Sequence, residues 1–500
     1  MSGPGMQPMW NQLIHLSFKS RVSLQAQIRE MLVNGILDGH IPVGVPLPST
    51  RVLAIQLGVA RNTVALSYEL LVNEGYLVTK SRSGHFVNAE ILGGRAAGRP
   101  RDFPAPGAAP EVAWTRRLQS NLAEQRNIVK PRDWQKYPYP FLYGQIDPSL
   151  LPITGWRECS TQALSTTETR GWAGDLIDGD DTLLIEQIQT RLLARRGVWA
   201  TPDEILVTVG AQHALFLLAT LLVDGQTVVG VENPGYPDAR NIFAARTRNV
   251  VALQLDGDGV MLSPELGRCD YVFVTPSHQC PTNVTMPLPR REALLAWAQA
   301  HERVIIEDDY ETELGIEGRV QPALKSLDRS GHVVYISSLS KTLAPGIRIG
   351  YIVGSRDLIR EARALRRLML RHPAANNERS AGLFLAMGYH DALLRRLKQT
   401  YAERGRHVAE ALHAHMPDVT FRAVTGASSC WLRFPDGVDT RRLAAAAQRH
   451  GVLVEPGDVF FAGDTPLNNY IRLGFSSIVA ERIEPGICAL AAVREKMDVT

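Results

Sequence analysis

From Leu24 to Leu37 apolar residues return every three or four positions, at Leu24, Ile28, Met31, Leu32 and Ile36, which predicts an amphipathic helix ending near Gly39. Pro46 and Pro48 then interrupt the chain. Ser49 offers an N-cap to a short helix bearing Val52, Leu53 and Leu57, and Gly58 closes it. A third helix is expected from about Arg61 to Glu74, with Val64, Tyr68 and Leu71 inward. After Gly75 the period drops to two, so Tyr76 to Val87 reads as two strands around a polar turn containing Gly84.

Between Ala89 and Pro140 the periodicity disappears. Gly93, Gly94, Gly98, Pro100, Pro104, Pro106, Gly107 and Pro110 mark a tether, with a short helical patch near Val112 to Leu122. Composition alone leaves open whether this tether is floppy or laid along the next domain. From Ile205 onward, β-rich runs at Ile205–Val209, Val228–Val231, Val250–Leu255, Tyr271–Val274, Val304–Ile306, Val333–Ile336 and Ile349–Val353 alternate with helical stretches. That alternation predicts an α/β body with a mostly parallel sheet wrapped by helices. A long amphipathic helix from Asp391 to Met416 leads into an α+β region with strands at Cys430–Phe434 and Tyr470–Phe475, a second and smaller lobe. The expected organisation is a helical and winged module over 20–89, a linker over 90–140, and a body over 141–500 whose small lobe starts near 390.

Five hundred residues exceed what one core usually serves, and 45% hydrophobic with 21% charged residues is ordinary globular composition, so two or three domains are expected. The net charge of +3 hides an asymmetry. Residues 1–100 carry nine Lys and Arg against five Asp and Glu, and residues 101–140 carry seven against four, so the basic excess lies at the N-terminal end. Such an excess suits a segment that meets phosphates. The five cysteines are scattered without the spacing of a metal site or the even count of a disulfide scaffold, so a reducing cytoplasm and no metal are expected. The longest apolar stretch, Ala214 to Val223, is about half a bilayer span, and no membrane association is expected.

Three helices with a tight turn followed by a two-stranded wing resemble a winged helix-turn-helix. In such modules the third helix enters the major groove by its N-terminal end. Arg61, Asn62 and Thr63 would then face base edges or phosphates, Arg51 would approach the backbone, and Arg82, Gly84 and His85 would lie at the wing tip. The segments Leu47-Pro48-Ser49-Thr50-Arg51, Arg61-Asn62-Thr63-Val64, Glu74-Gly75-Tyr76-Leu77 and Ser83-Gly84-His85-Phe86-Val87 resemble the GntR-type regulators. The resemblance implies binding to double-stranded promoter DNA. One departure is Ala60, where that family has a serine cap.

A pyridoxal phosphate site needs a lysine for an imine, a carboxylate at the ring nitrogen, a hydroxyl near the ring oxygen and a phosphate cup. Lys341 follows a strand in a Ser-rich turn, where Ser338, Ser340 and Arg348 can converge on a phosphate. Asp308 and Tyr310 come directly after the apolar run Val304-Ile305-Ile306, where a strand end can present them to a pocket above the sheet. Asp308 would keep the ring nitrogen protonated and Tyr310 would bond the phenolic oxygen. Ala211 and Gln212 open a helix after a strand and would add backbone and side-chain donors to the cup. Tyr236 sits in another post-strand loop and could stack on the ring.

Residues from about Phe141 to the C-terminus resemble fold-type I aminotransferases, and the whole chain resembles the MocR-type (GabR-like) regulators. That resemblance implies an internal aldimine at Lys341 and an effector carboxylate gripped by Arg472. It also implies a head-to-tail, domain-swapped homodimer. Two positions depart from the family: Asn283 replaces a glycine, and Cys280 replaces the asparagine that supports the ring oxygen, which weakens the tuning of an efficient transaminase. A buried, inert thiol is expected of Cys280. The expected function is a transcriptional regulator that senses an amine, amino acid or aminosulfonate through external aldimine formation at Lys341, without physiological turnover. The alternatives are a working aminotransferase, or a regulator of vitamin B6 synthesis that senses pyridoxal phosphate itself.

Overall fold

The computed structural model describes residues 16–18, 22–81, 83–92, 114–118, 120–175, 177–315, 321–422, 426–463 and 466–498. The chain divides into two compact units, Met1–Arg117 and Leu118–Thr500.

In the first unit, α1 (Leu24–Leu37) starts at Ser23, whose side chain accepts from the Ala26 N–H. Helix α2 (Thr50–Leu57) starts at Ser49 in the same way and ends at Gly58, whose φ of +66° is the left-handed conformation glycine adopts without strain. Helix α3 (Arg61–Asn73) starts at Ala60, which makes no side-chain cap bond. Ile28, Leu32, Ile36, Leu53, Val64, Tyr68 and Leu71 close one core with Leu77 and Val87. The last two belong to the antiparallel hairpin β1 (Leu77–Lys80) and β2 (Gly84–Val87). The Tyr68 hydroxyl donates to the Pro48 carbonyl at 3.0 Å, tying α3 to the loop before α2. Val52, which stood among the apolar positions of the second helix, is exposed, and Ala54 is buried instead.

The second unit is built on an eight-stranded sheet. Its strands are β3 (Ile205–Thr208), β4 (Val229–Asn233), β5 (Val250–Asp256), β6 (Gly259–Val260), β7 (Tyr271–Val274), β8 (Val304–Asp308), β9 (Val333–Ser338) and β10 (Gly350–Val353). Their order is β3-β10-β9-β8-β7-β4-β5-β6. The ladders from β9 through β8, β7 and β4 to β5 are parallel, whereas β10 runs antiparallel to both β9 and β3, and β6 antiparallel to β5. The connection from β9 to β10 contains only two short 3₁₀ turns, too little for the crossover that a parallel pair requires, so this strand returns antiparallel.

Neighbouring residues of each strand pack on opposite faces. Phe273, Ile306 and Val334 meet α4 (Ala211–Leu222), α5 (Pro237–Ala244) and α7 (Arg356–Leu370), while Val272, Ile305 and Val333 meet α6 (Leu288–Ala300). Burial on both sides is what makes these strands read as continuous apolar runs. The long helix α8 (Tyr389–His415) leads to a four-stranded antiparallel sheet of order β11 (Thr420–Phe421), β12 (Ser429–Arg433), β14 (Tyr470–Gly474) and β13 (Glu455–Pro456). Helices α9 (Thr440–Arg449) and α10 (Ile483–Asp498) complete this small lobe.

Part of the stretch read as tether belongs to the second unit. Among the described residues, the helical patch expected near Val112 to Leu122 shows short 3₁₀ turns at Trp114–Arg116 and Leu122–Glu124. Arg126 donates to the carbonyls of Phe461 and Gly463 at 3.1 and 2.7 Å, and Asn241 Nδ2 donates to the Arg126 carbonyl at 3.0 Å. Glycine and proline density reports backbone freedom, not whether a neighbouring surface offers partners.

Candidate functional site

A cavity of about 310 Å³ lies at the ends of the parallel strands, where open α/β sheets place their ligands. Ala211, Gln212, Tyr236, Asp308, Tyr310, Ser338, Ser340, Lys341, Arg348 and Arg472 all line it. Asp308 is the last residue of β8, and Ser338 the last of β9, so both side chains leave the sheet at the same end. Ser338 Oγ lies 3.0 Å from Ser340 Oγ and accepts from the Ser340 N–H at 3.1 Å. Arg348, at φ +53°, turns back to donate from Nη2 to the Val209 carbonyl at 2.9 Å. Gly210 permits this approach, since a Cβ there would stand 2.7 Å from Arg348 Nη2. The cup therefore joins the start of α4 to the turn that carries Lys341. Tyr236 donates to Asp238 at 3.0 Å, which fixes its ring at the cavity wall.

Burial pushes the Asp308 carboxyl up to about 7, with Asp309 adding to the effect and Lys341 opposing it. Asp308 Oδ1 is buried without a hydrogen-bond partner. Lys341 Nζ lies 4.2 Å from the centre of the Tyr143 ring, and burial, reinforced by the positive charges of Lys130 and Arg472, lowers its pKa to about 8. Arg472 is nearly fully buried and already paired: Nε and Nη2 both donate to Glu455 Oε2 at 2.8 Å, and its guanidinium lies over the Tyr143 and Phe460 rings. Burial works against the Glu455 carboxylate, but Arg472 and Lys130 beside it hold its pKa below the ordinary value. Gly474 sets this arrangement, because a Cβ at that position would stand 2.2 Å from the Tyr143 backbone nitrogen. Cys280 is buried 3.8 Å from Arg472 Nη1, and burial raises its thiol to about 11, so it is a neutral group. Asn283 takes a φ of +59° and donates to the Ser429 carbonyl at 2.6 Å.

Sequence reasoning missed several residues in or beside the cavity, Ile128, Asp238 and Pro345 among its lining. Lys130 and Tyr143 line the cavity from the segment before the sheet, Thr275 lines it from the end of β7, and Glu455 sits behind Arg472. Thr275 Oγ1 donates to the buried Glu232 at 2.6 Å, and burial pushes that carboxyl up to about 7. Only Thr275 carried a signal of its own, at a strand end.

In the first unit, Arg51, Arg61 and Asn62 are exposed and Thr63 half-exposed, the last three forming the first turn of α3. Gly84 is exposed at the start of β2. His85 follows it but points inward: its ring packs edge-on against Tyr68 at 5.0 Å and hydrogen-bonds Thr79 at 3.1 Å, and burial lowers its pKa. A neutral, engaged imidazole is what the structure places there. Arg82 lies outside the described residues.

The family "Aminotransferase class I and II" matches residues 177–490, and "Bacterial regulatory proteins, gntR family" matches residues 24–87. The HTH-type transcriptional regulator TauR of Rhodobacter capsulatus is 41% identical over 94% of this chain and 96% of its own length. The regulatory protein MocR of Rhizobium meliloti is 31% identical over 94% of this chain and 93% of its own. The chain belongs to the MocR-type regulators of the GntR family.

The fold of the second unit matches α-aminoadipate aminotransferase LysN of Thermus thermophilus, in complex with a phosphopyridoxyl-leucine, with a TM-score of 0.70 and 24% identity over 78% of this chain and all of the other. The cofactor of this MocR-type regulator is pyridoxal 5′-phosphate, and the cavity fits it. Asp308 Oδ1 is buried without a partner and would meet a protonated ring nitrogen, and the start of α4 with Ser338, Ser340 and Arg348 lines the cavity where the phosphate would be held. Among the described residues no helix is long and apolar enough to cross a membrane.

Proposed function

We propose that this regulator reads an amine or amino-acid effector at Lys341 and converts its presence into a change of promoter occupancy. Bound in the cavity, pyridoxal phosphate supplies an aldehyde carbon that condenses reversibly with amines. Lys341 would be the residue that holds this group, in competition with the effector's amino group. Asp308 holds a proton on the ring nitrogen, Tyr310 bonds the ring oxygen, and Tyr236 stacks on the ring. Ala211, Gln212, Ser338, Ser340 and Arg348 bind the phosphate, while Arg472 faces the effector's anionic end. Arg61, Asn62 and Thr63 meet the major groove, Arg51 the DNA backbone, and Arg82 and Gly84 the adjacent phosphates. The working form is a head-to-tail homodimer in the cytoplasm, two winged modules reading two half-sites.

The observation that carries this reading is the convergence of ten sequence-selected residues on one cavity, Asp308 among them with an unpartnered carboxylate oxygen. The effector shifts the protein only by its preference for one conformation, typically about 1–3 kcal/mol of coupling. Lys341→Ala should remove the absorbance band near about 420 nm of the lysine-bound cofactor and abolish the effector response while leaving the fold intact. A thermal-shift screen of amines and amino acids on the loaded protein then identifies the effector. Persistence of the band in Lys341→Ala, or a promoter footprint indifferent to every amine that changes the spectrum, overturns the proposal.

A further inference from the structure

Glu311 is buried directly after Tyr310, in the segment that leaves the end of β8, and it does not itself line the cavity. Its φ is +62°, a left-handed conformation that a residue bearing a Cβ seldom adopts. Such a conformation persists where the surroundings fix it, and here the side chain supplies the fixing. Oε2 accepts from the Tyr143 hydroxyl at 3.2 Å, and Oε1 accepts from the Ser428 hydroxyl in the small lobe. The Ser428 carbonyl in turn accepts from the Phe475 N–H at 2.9 Å, just beyond β14. One carboxylate thus joins the end of β8, the segment before the sheet and the small lobe.

The Tyr143 ring carries this arrangement into the cavity. Lys341 Nζ lies 4.2 Å and Arg472 4.1 Å from its centre, and the bond to Glu311 fixes the ring at its outer end. Besides this ring, the groups that act on Lys341 are Lys130, Arg472, Glu311, Cys280 and Asp308. Burial, Lys130 and Arg472 disfavour the Lys341 ammonium, whereas Glu311 favours it. Cys280 is a neutral thiol, and Asp308 serves the ring nitrogen. The groups that feel Glu311 on its other sides are Tyr143, Tyr310, Tyr401 and His278, and burial keeps all four neutral.

We propose that Glu311 is a positioning residue for Lys341: it holds the Tyr143 ring against the lysine, offsets the cations beside it, and anchors this arrangement to the small lobe through Ser428. This rests on the reading that Lys341 is the residue that takes the cofactor. Burial and the two cations drive Lys341 toward its neutral form, and the carboxylate keeps a protonated share that exchange with an incoming amine draws on. The side chain also explains the backbone, because glycine would suit that φ better but would bring no carboxylate.

The test follows the rate of pyridoxal phosphate uptake by the full-length apo-protein against pH, in the wild type and in three variants. Glu311→Gln keeps the shape and removes the charge, and the inflection should fall by about one pH unit. Glu311→Asp returns the charge on a shorter stem and should recover at least about half of that fall. Tyr143→Phe keeps the ring but frees its outer end, and the inflection should fall by less than in Glu311→Gln. An inflection unchanged in Glu311→Gln or in Tyr143→Phe, or lowered as far by Asp as by Gln, overturns the proposal and leaves the parent reading standing. Tyr143→Phe decides alone where Glu311→Gln does not fold. If Lys341→Ala keeps the absorbance band of the bound cofactor, the parent reading fails, and this one with it.

Discussion

Lys341 in the apo-protein should react as an amine of pKa about 8, and the pH dependence of cofactor uptake measures this directly. Only the neutral amine attacks an aldehyde. Burial and the positive charges of Lys130 and Arg472 disfavour the ammonium form, so the folded protein releases that proton more readily than an exposed lysine of pKa about 10.4. At pH 7 the neutral fraction is then about one tenth, against a few parts in ten thousand for the exposed lysine, a gain of roughly 250-fold. The assay is stopped-flow mixing of apo-protein with pyridoxal phosphate between pH 6 and 10, following growth of the band near about 420 nm. The rate should rise about tenfold per unit below pH 8 and level off above it. Lys130→Met removes one of the like charges and should move the inflection upward. A rate that climbs steadily to pH 10, or an inflection that Lys130→Met lowers, refutes the electrostatic argument.

The DNA module yields three further expectations. Arg61→Ala should weaken promoter binding by about 1–3 kcal/mol with a largely unchanged salt slope if it reads a base, and equal affinity at matched salt rules out the groove assignment. Arg51→Ala should weaken binding to all sequences and reduce the salt slope by about one, the mark of a phosphate contact. Ala60→Ser supplies the cap that α3 lacks and should stabilise the winged module by about 0.5–2 kcal/mol, read as a rise in its transition in calorimetry of the full chain. In the second unit, Asn283→Ala should destabilise by about 1–2 kcal/mol, because alanine tolerates the φ of +59° poorly and the bond to the Ser429 carbonyl is lost; an unchanged denaturation midpoint refutes the strain.

Local physics was legible in the sequence to an unusual depth. Helix α1 ends where its apolar period ends, Ser49 and Gly58 bound α2, and the apolar runs of the body became strands because burial on both faces leaves no room for polar alternation. The cavity residues found in advance sit at strand ends, at the start of a helix or in the Ser-rich turn, places where the chain itself shows that a side chain leaves the sheet. Residues whose role depends on partners distant in sequence left no such trace. Lys130 lies in a stretch read as tether, and only packing of that stretch on the body brings it to Glu455, far along the chain in the small lobe. The inward turn of His85 depends on Tyr68 and Thr79, and the occupied guanidinium of Arg472 depends on a neighbouring strand. Periodicity and caps are short-range consequences of backbone geometry, so one segment specifies them. Charge pairing inside a cavity is set by which segments the finished fold brings together, and that information exists only in the tertiary structure.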